Sequence, residues 1–137
     1  MIKRIAHICI GCTDLTEVER FYCQCLGFTK RFDFMKNGKC IGFYLEVGEG
    51  GFLEFFRADE VPCAGSPIRH LCLETDDIDG VIDRLNQGGY KVGQKKVGAD
   101  RTWQVWVGNA PDGVAIEFHQ YTPQSSQFTG EVCQVTW

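Results

Sequence analysis

Two histidines and two glutamates stand at matching positions of this chain. His7 and His70 are 63 residues apart, and so are Glu54 and Glu117. All four lie in apolar runs: His7-Ile-Cys-Ile, His70-Leu-Cys-Leu, Glu54-Phe55 and Ile116-Glu117-Phe118. A carboxylate among such neighbours is costly to bury unless a cation accompanies it. Imidazole and carboxylate together suit a borderline divalent ion such as zinc, nickel, cobalt, iron or manganese. Four protein ligands on an octahedral ion leave two positions for water or substrate, whereas a structural zinc site is usually closed and tetrahedral. A lone strand histidine is more often structural, and duplication would copy a structural His–Glu pair too. The weight comes from four residues at repeated places. His119 shares the strand face of Glu117, but it falls on Phe56 under the same offset and lies outside the repeated set. Lining a pocket, binding substrate and ending the strand in water are all open to it.

The same offset places Asp14 on Asp77, Leu15 on Ile78, Val18 on Val81 and Gln24 on Gln87. A constant shift at both ends of each half indicates two copies of one module within one domain. Module one spans about 2–57 and module two about 67–120. Each reads as βαβββ. The alternating run 2–10 predicts a strand, and Asp14 to Gly27 predicts a helix capped by Asp14, with Glu17 as its capping-box partner. Strands follow near 28–35, 40–47 and 51–57, divided by Asn37-Gly38 and by the Gly48–Gly51 turn. The second half predicts a strand at 67–74, a helix at 77–87 stopped by Gly88-Gly89, and strands near 90–96, 102–108 and 114–120. Residues 121–137 form an extension, with a loop around Pro123–Ser126 and an alternating, strand-like 131–137. Pro111-Asp112-Gly113 reads as a tight turn into the last strand.

The 137 residues are 44% hydrophobic and 23% charged, enough for one packed domain. A net charge of −4 without a basic run argues against nucleic acid as a partner. No apolar stretch approaches the ~18 residues of a membrane span, and no secretory leader opens the sequence, so a cytoplasmic protein is expected. The eight cysteines are then expected as reduced, mostly buried thiols. Cys9-x-x-Cys12 resembles half a zinc site, but no second C-x-x-C follows. Phe43 and Trp103 are candidates for pocket lining, and Arg57 for contact with an anionic substrate.

The H-I-x-I-x-x-x-D-L start, Phe21-Tyr22…Leu26-Gly27-Phe28, Glu54, His70 and the P-D-G-x-x-I-E ending resemble the vicinal oxygen chelate superfamily, also called the glyoxalase/bleomycin-resistance/dioxygenase superfamily. The resemblance covers roughly residues 3–120. It implies an α+β fold in which two βαβββ modules form a half-barrel cleft, often with one module from each subunit of a homodimer. Within the superfamily, His7, Glu54, His70 and Glu117 are similar to the metal ligands of glyoxalase I, a lactoylglutathione lyase. That similarity implies one divalent ion per site and a thiol cosubstrate such as glutathione. It also implies proton transfer next to a carbonyl of a small-molecule substrate, through an enediolate held on the ion. Glu117 is the expected base, with Glu54 its alternative. Extradiol dioxygenases, epimerases, thiol transferases and non-catalytic binding proteins resemble the chain too. Glu54 favours the isomerase, because the dioxygenases use one carboxylate. After Glu54, however, Phe-Phe-Arg-Ala-Asp-Glu replaces the Thr-Tyr-Asn-Trp-Gly stretch of glyoxalase I, which helps to bind glutathione.

Overall fold

The computed structural model describes residues 6–59, 70–131 and 133. It contains two four-stranded mixed sheets with few helices. In the first, β1 (His7–Cys12), β2 (Thr29–Lys36), β3 (Lys39–Val47) and β4 (Gly51–Arg57) lie in the order β1-β4-β3-β2. In the second, β5 (Leu71–Glu74), β6 (Lys96–Val97), β7 (Trp103–Val107) and β8 (Ile116–Gln120) lie in the order β5-β8-β7-β6. The first and last strands of each sheet pair in parallel, and the others are antiparallel. The register repeats as well: Cys9 faces Glu54 in one sheet and Cys72 faces Glu117 in the other. The βαβββ order is therefore the observed one. By its contacts the chain forms two compact units, and Pro111–Gly113 belongs with the first.

In the first unit, α1 (Leu15–Glu19) continues into a π-helical stretch, Arg20–Cys25. Asp14 caps α1, accepting from the Thr16 and Glu17 amides at 2.9 and 3.2 Å. Glu17 does not complete the capping box; its carboxylate takes the Arg20 guanidinium at 3.2 Å instead. Asp14→Ala is expected to cost about 1 kcal/mol, read as a lower midpoint of urea unfolding at unchanged slope. The helical segment and the inner sheet face bury Val18, Phe21, Tyr22, Phe43, Leu45 and Phe55. The β2–β3 hairpin turns on Asn37 (φ 51°) and Gly38 (φ 74°), the left-handed pair that two-residue hairpins require.

Asp112 does more than make a turn. It is fully buried, and its carboxylate accepts the Tyr22 hydroxyl at 2.7 Å. Burial and then the Asp112 charge hold the Tyr22 phenol well above its ordinary range.

In the second unit, α2 (Ile78–Gln87) starts at Asp77, which accepts from the Gly80 amide at 2.9 Å, and ends at Gly88-Gly89. The strand expected at 90–96 is reduced to a bridge between Val92 and Val107 and the short β6. Between them Lys95 leaves the ladder, reaching Asp79 at 2.7 Å and lying 4.9 Å over the Trp103 ring. The loop expected after Tyr121 contains a short helix, α3 (Ser126–Thr129). It is pinned by the buried Ser125 hydroxyl, which accepts from Thr102 at 3.0 Å. Of the strand expected at 131–137, only Glu131 and Cys133 are described, and neither is in a strand; its other residues, and residues 2–5 and 67–69 of the other predicted strands, lie outside the described residues. Among the described residues every cysteine is a free thiol, and no helix is long and apolar enough to cross a membrane.

Candidate metal centre

Each sheet carries one His–Glu pair on its outer face, and pairing register explains how. In the first sheet His7 and Cys9 of β1, Glu54 of β4 and Tyr44 of β3 share a face, because Glu54 lies opposite both Cys9 and Tyr44. His7 Nε2 stands 3.8 Å from Glu54 Oε2. In the second sheet Cys72 of β5, Glu117 and His119 of β8 and Trp106 of β7 share the equivalent face. His70, just before β5, puts its Nε2 3.5 Å from Glu117 Oε2. Two donors on one tetrahedral ion lie roughly 3.3–3.8 Å apart. Both pairs match that spacing and combine the imidazole and carboxylate that divalent ions take, so each pair fits as half of a metal site.

The second unit adds donors that the repeat did not announce. Glu117 is only 6% exposed. Its second oxygen, Oε1, lies 3.2 Å from His119 Nε2. One donor atom each from Cys72, Glu117 and His119 lie within 4.8 Å of one another. His119 Nε2 is shut off from solvent and makes no hydrogen bond; Oε1 is near enough but out of line for one. Dehydration, followed by the Glu117 charge and a hydrogen bond to it, pushes the Cys72 thiol up to about 12. Dehydration and then Glu54 likewise push Cys9 to about 11. Cys9 and Cys12 do not form half a zinc site, because Cys9 is exposed and Cys12 is buried on the other side of the strand.

Three expected substrate contacts are on the wrong faces. Phe43 lies opposite Phe55, in the core, while its neighbour Tyr44 faces Glu54. Arg57 is three residues beyond Glu54, an odd step, and so turns to the helix side. Phe43 and Arg57 instead line a cavity of about 410 Å³ there, with Asp14, Glu19, Lys30 and Asp33. Trp103 is likewise three residues from Trp106, which faces Glu117. Around His7 and Glu54 the outer face carries rings not foreseen from the sequence. Phe32 stacks on Tyr44 at 4.9 Å, Tyr44 meets Phe52 at 5.2 Å, and Phe34 meets Phe56 at 4.6 Å. Trp106 approaches His70 edge-on at 4.9 Å. The period of two, counted along β4 from Glu54, gives Phe52 and Phe56; the other rings lie on neighbouring strands, where pairing register decides the face.

Residues 4–118 match the family model of the Glyoxalase/Bleomycin resistance protein/Dioxygenase superfamily. The "Uncharacterized protein YaeR" of Escherichia coli (strain K12) is 26% identical over 126 residues, which cover 87% of this chain and 97% of the relative. The glyoxalase family protein from Enterococcus faecalis superposes with a TM-score of 0.71 at 27% identity, over 85% of this chain and 97% of that one. TnmS3, an antibiotic binding protein from Streptomyces sp. CB03234, superposes with a TM-score of 0.70 at 24% identity, over 88% and 98%.

Proposed function

Because the chain belongs to the Glyoxalase/Bleomycin resistance protein/Dioxygenase superfamily, we propose that it is a metal-dependent lyase or isomerase of the glyoxalase I type. Its ligand set is His7, Glu54, His70 and Glu117, and its reaction moves a proton on the carbon beside a carbonyl. One observation carries this reading: two His–Glu pairs, 3.8 and 3.5 Å apart, in the same place of two sheets with the same register. A bound divalent ion supplies Lewis-acid stabilisation of the oxygen charge that develops as the proton leaves. Glu117 takes the proton, because its burial keeps the carboxylate out of bulk water. His70 holds the Oε2 side of that carboxylate, and Trp106 fixes the His70 ring. The rings around Tyr44 give the first unit's His–Glu pair an apolar surround. A thiol adduct such as the hemithioacetal of methylglyoxal and glutathione is the substrate to assay first, and the working form is proposed as a homodimer.

The reading is tested by elemental analysis of protein purified without chelator or metal resin. About one nickel, cobalt, zinc or manganese ion per ligand set is expected, lost in His70→Ala and in His7→Ala. Iron together with oxygen consumption on a catechol would move the assignment to an oxygenase. Both variants are also made with Cys72→Ser, so that an ion held by that neighbouring thiol is not counted, and an ion retained there would overturn the ligand set.

A second reading rests on the stacked Phe32 and Tyr44 rings, since Phe32 is 49% exposed. An open aromatic floor suits a planar ligand held without chemistry, and TnmS3 is by its name an antibiotic binding protein. Binding of a planar aromatic by metal-free protein, lost in Tyr44→Ala, would favour it.

A further inference from the structure

We propose that Cys72, Glu117 and His119 form a site for a thiophilic divalent cation of the zinc and cadmium class, contained wholly in the second unit. Cys72 and Glu117 are register partners on adjacent parallel strands, and His119 is two residues beyond Glu117 on the same face. Their donor atoms lie within 4.8 Å of one another, close enough to reach the roughly 3.3–3.8 Å of a tetrahedral site by rotation of the Cys72 side chain. The buried His119 Nε2, without a hydrogen bond, is the independent sign of a missing partner. A buried polar atom is otherwise almost always satisfied. A coordinated cation satisfies it without moving the ring, which Tyr121 supports edge-on at 6.0 Å.

The two oxygens of Glu117 separate this site from the one proposed above. Oε1 faces His119 and Oε2 faces His70. Among the described residues no three-donor group of this kind includes His70. The inference therefore stands whether or not the four-ligand reading does. The first unit has no counterpart, because Phe56 occupies the place of His119. Thiolate and carboxylate neutralise the two charges of the cation, imidazole adds a neutral donor, and the soft sulfur sets the preference. Binding takes one cation in and releases the Cys72 thiol proton to water. The exposed side of Cys72 is the way in.

The test is titration of the metal-free protein with cadmium or cobalt(II), following sulfur-to-metal charge-transfer absorption and calorimetric stoichiometry. The expected result is a charge-transfer band that saturates at one cation per Cys72, beyond any cation taken up by the sulfur-free four-ligand set without a band. Cys72→Ser should abolish that band with its far-UV circular dichroism unchanged. His119→Ala should weaken binding by at least the roughly 10–100-fold that loss of an outer-shell partner costs. Cys9→Ser and His70→Ala should keep the band. A band untouched by Cys72→Ser, or lost with Cys9→Ser or His70→Ala, would overturn the proposal. Failure of the four-ligand reading shows differently: in a Cys72→Ser background, which lacks this site, elemental analysis would find the ion retained in His70→Ala and His7→Ala.

Discussion

Glu117→Gln is expected to lower turnover of the hemithioacetal by roughly 10²–10⁴-fold, the range that a positioned general base contributes. Bound metal should fall far less. The amide keeps a carbonyl oxygen that can still ligate, and it nearly matches the carboxylate in volume, so the 6%-exposed site stays packed. What it loses is the ability to accept a proton. Its amide group must also face either His70 or His119, since one carboxylate oxygen now faces each. Single-turnover kinetics beside metal content separate the two effects. Turnover equal to that of the unaltered protein would remove Glu117 from the proton-transfer step. Glu54→Gln is the matched comparison, because Glu54 stands 3.8 Å from its histidine, against 3.5 Å for Glu117, and is less buried.

The second large effect is on stability. A Cβ on Gly42 would stand 2.3 Å from the Phe55 carbonyl oxygen and 2.7 Å from the Phe56 ring. A backbone oxygen cannot move aside, so β3 and β4 would have to part where Tyr44 and Glu54 share a face. Gly42→Ala is expected to cost about 3 kcal/mol, which lowers the thermal midpoint by roughly 10 °C in a chain of this size. Gly11→Ala, on the neighbouring strand β1, is the control. Its Cβ would meet only the Ala58 side chain at 3.6 Å, an ordinary contact. Scanning calorimetry of the two variants checks the contrast; equal midpoints would mean that the sheet absorbs the clash at Gly42.

The architecture was legible because the 63-residue offset holds across a whole module, and the same offset relates the two registers that place Glu54 and Glu117. The His–Glu pairs were legible for the same reason. The residues expected as pocket lining or substrate contacts were shifted by strand parity. Phe43, Arg57 and Trp103 stand one or three positions from the faces that carry Glu54 and Glu117. The donor triad was within reach too, since His119 was already placed on the face of Glu117. The expectation of mostly buried thiols fails, since Cys9, Cys40, Cys72 and Cys133 are exposed, and only pairing register puts the Cys72 sulfur beside that carboxylate. The Tyr22–Asp112 bond had no signal: it joins a ring on a helix face to a turn residue 90 positions away, and no periodicity relates the two. The shortened β6 depends on a lysine leaving the ladder for a carboxylate and an aromatic ring, a tertiary preference that alternation cannot express.

In each sheet the parallel pair joins the first strand of a module to its last. Local hairpins can form early, but this closure spans a whole module and carries the larger entropic cost. The donors of each His–Glu pair sit on opposite sides of that late seam. A nascent or half-unfolded chain therefore offers no preassembled pair, and an ion bound as proposed would act as a clasp on a finished module. At a free concentration a hundredfold above its dissociation constant such a clasp adds about 2.7 kcal/mol. Metal supply would then govern how long each module stays shut as well as whether it can react.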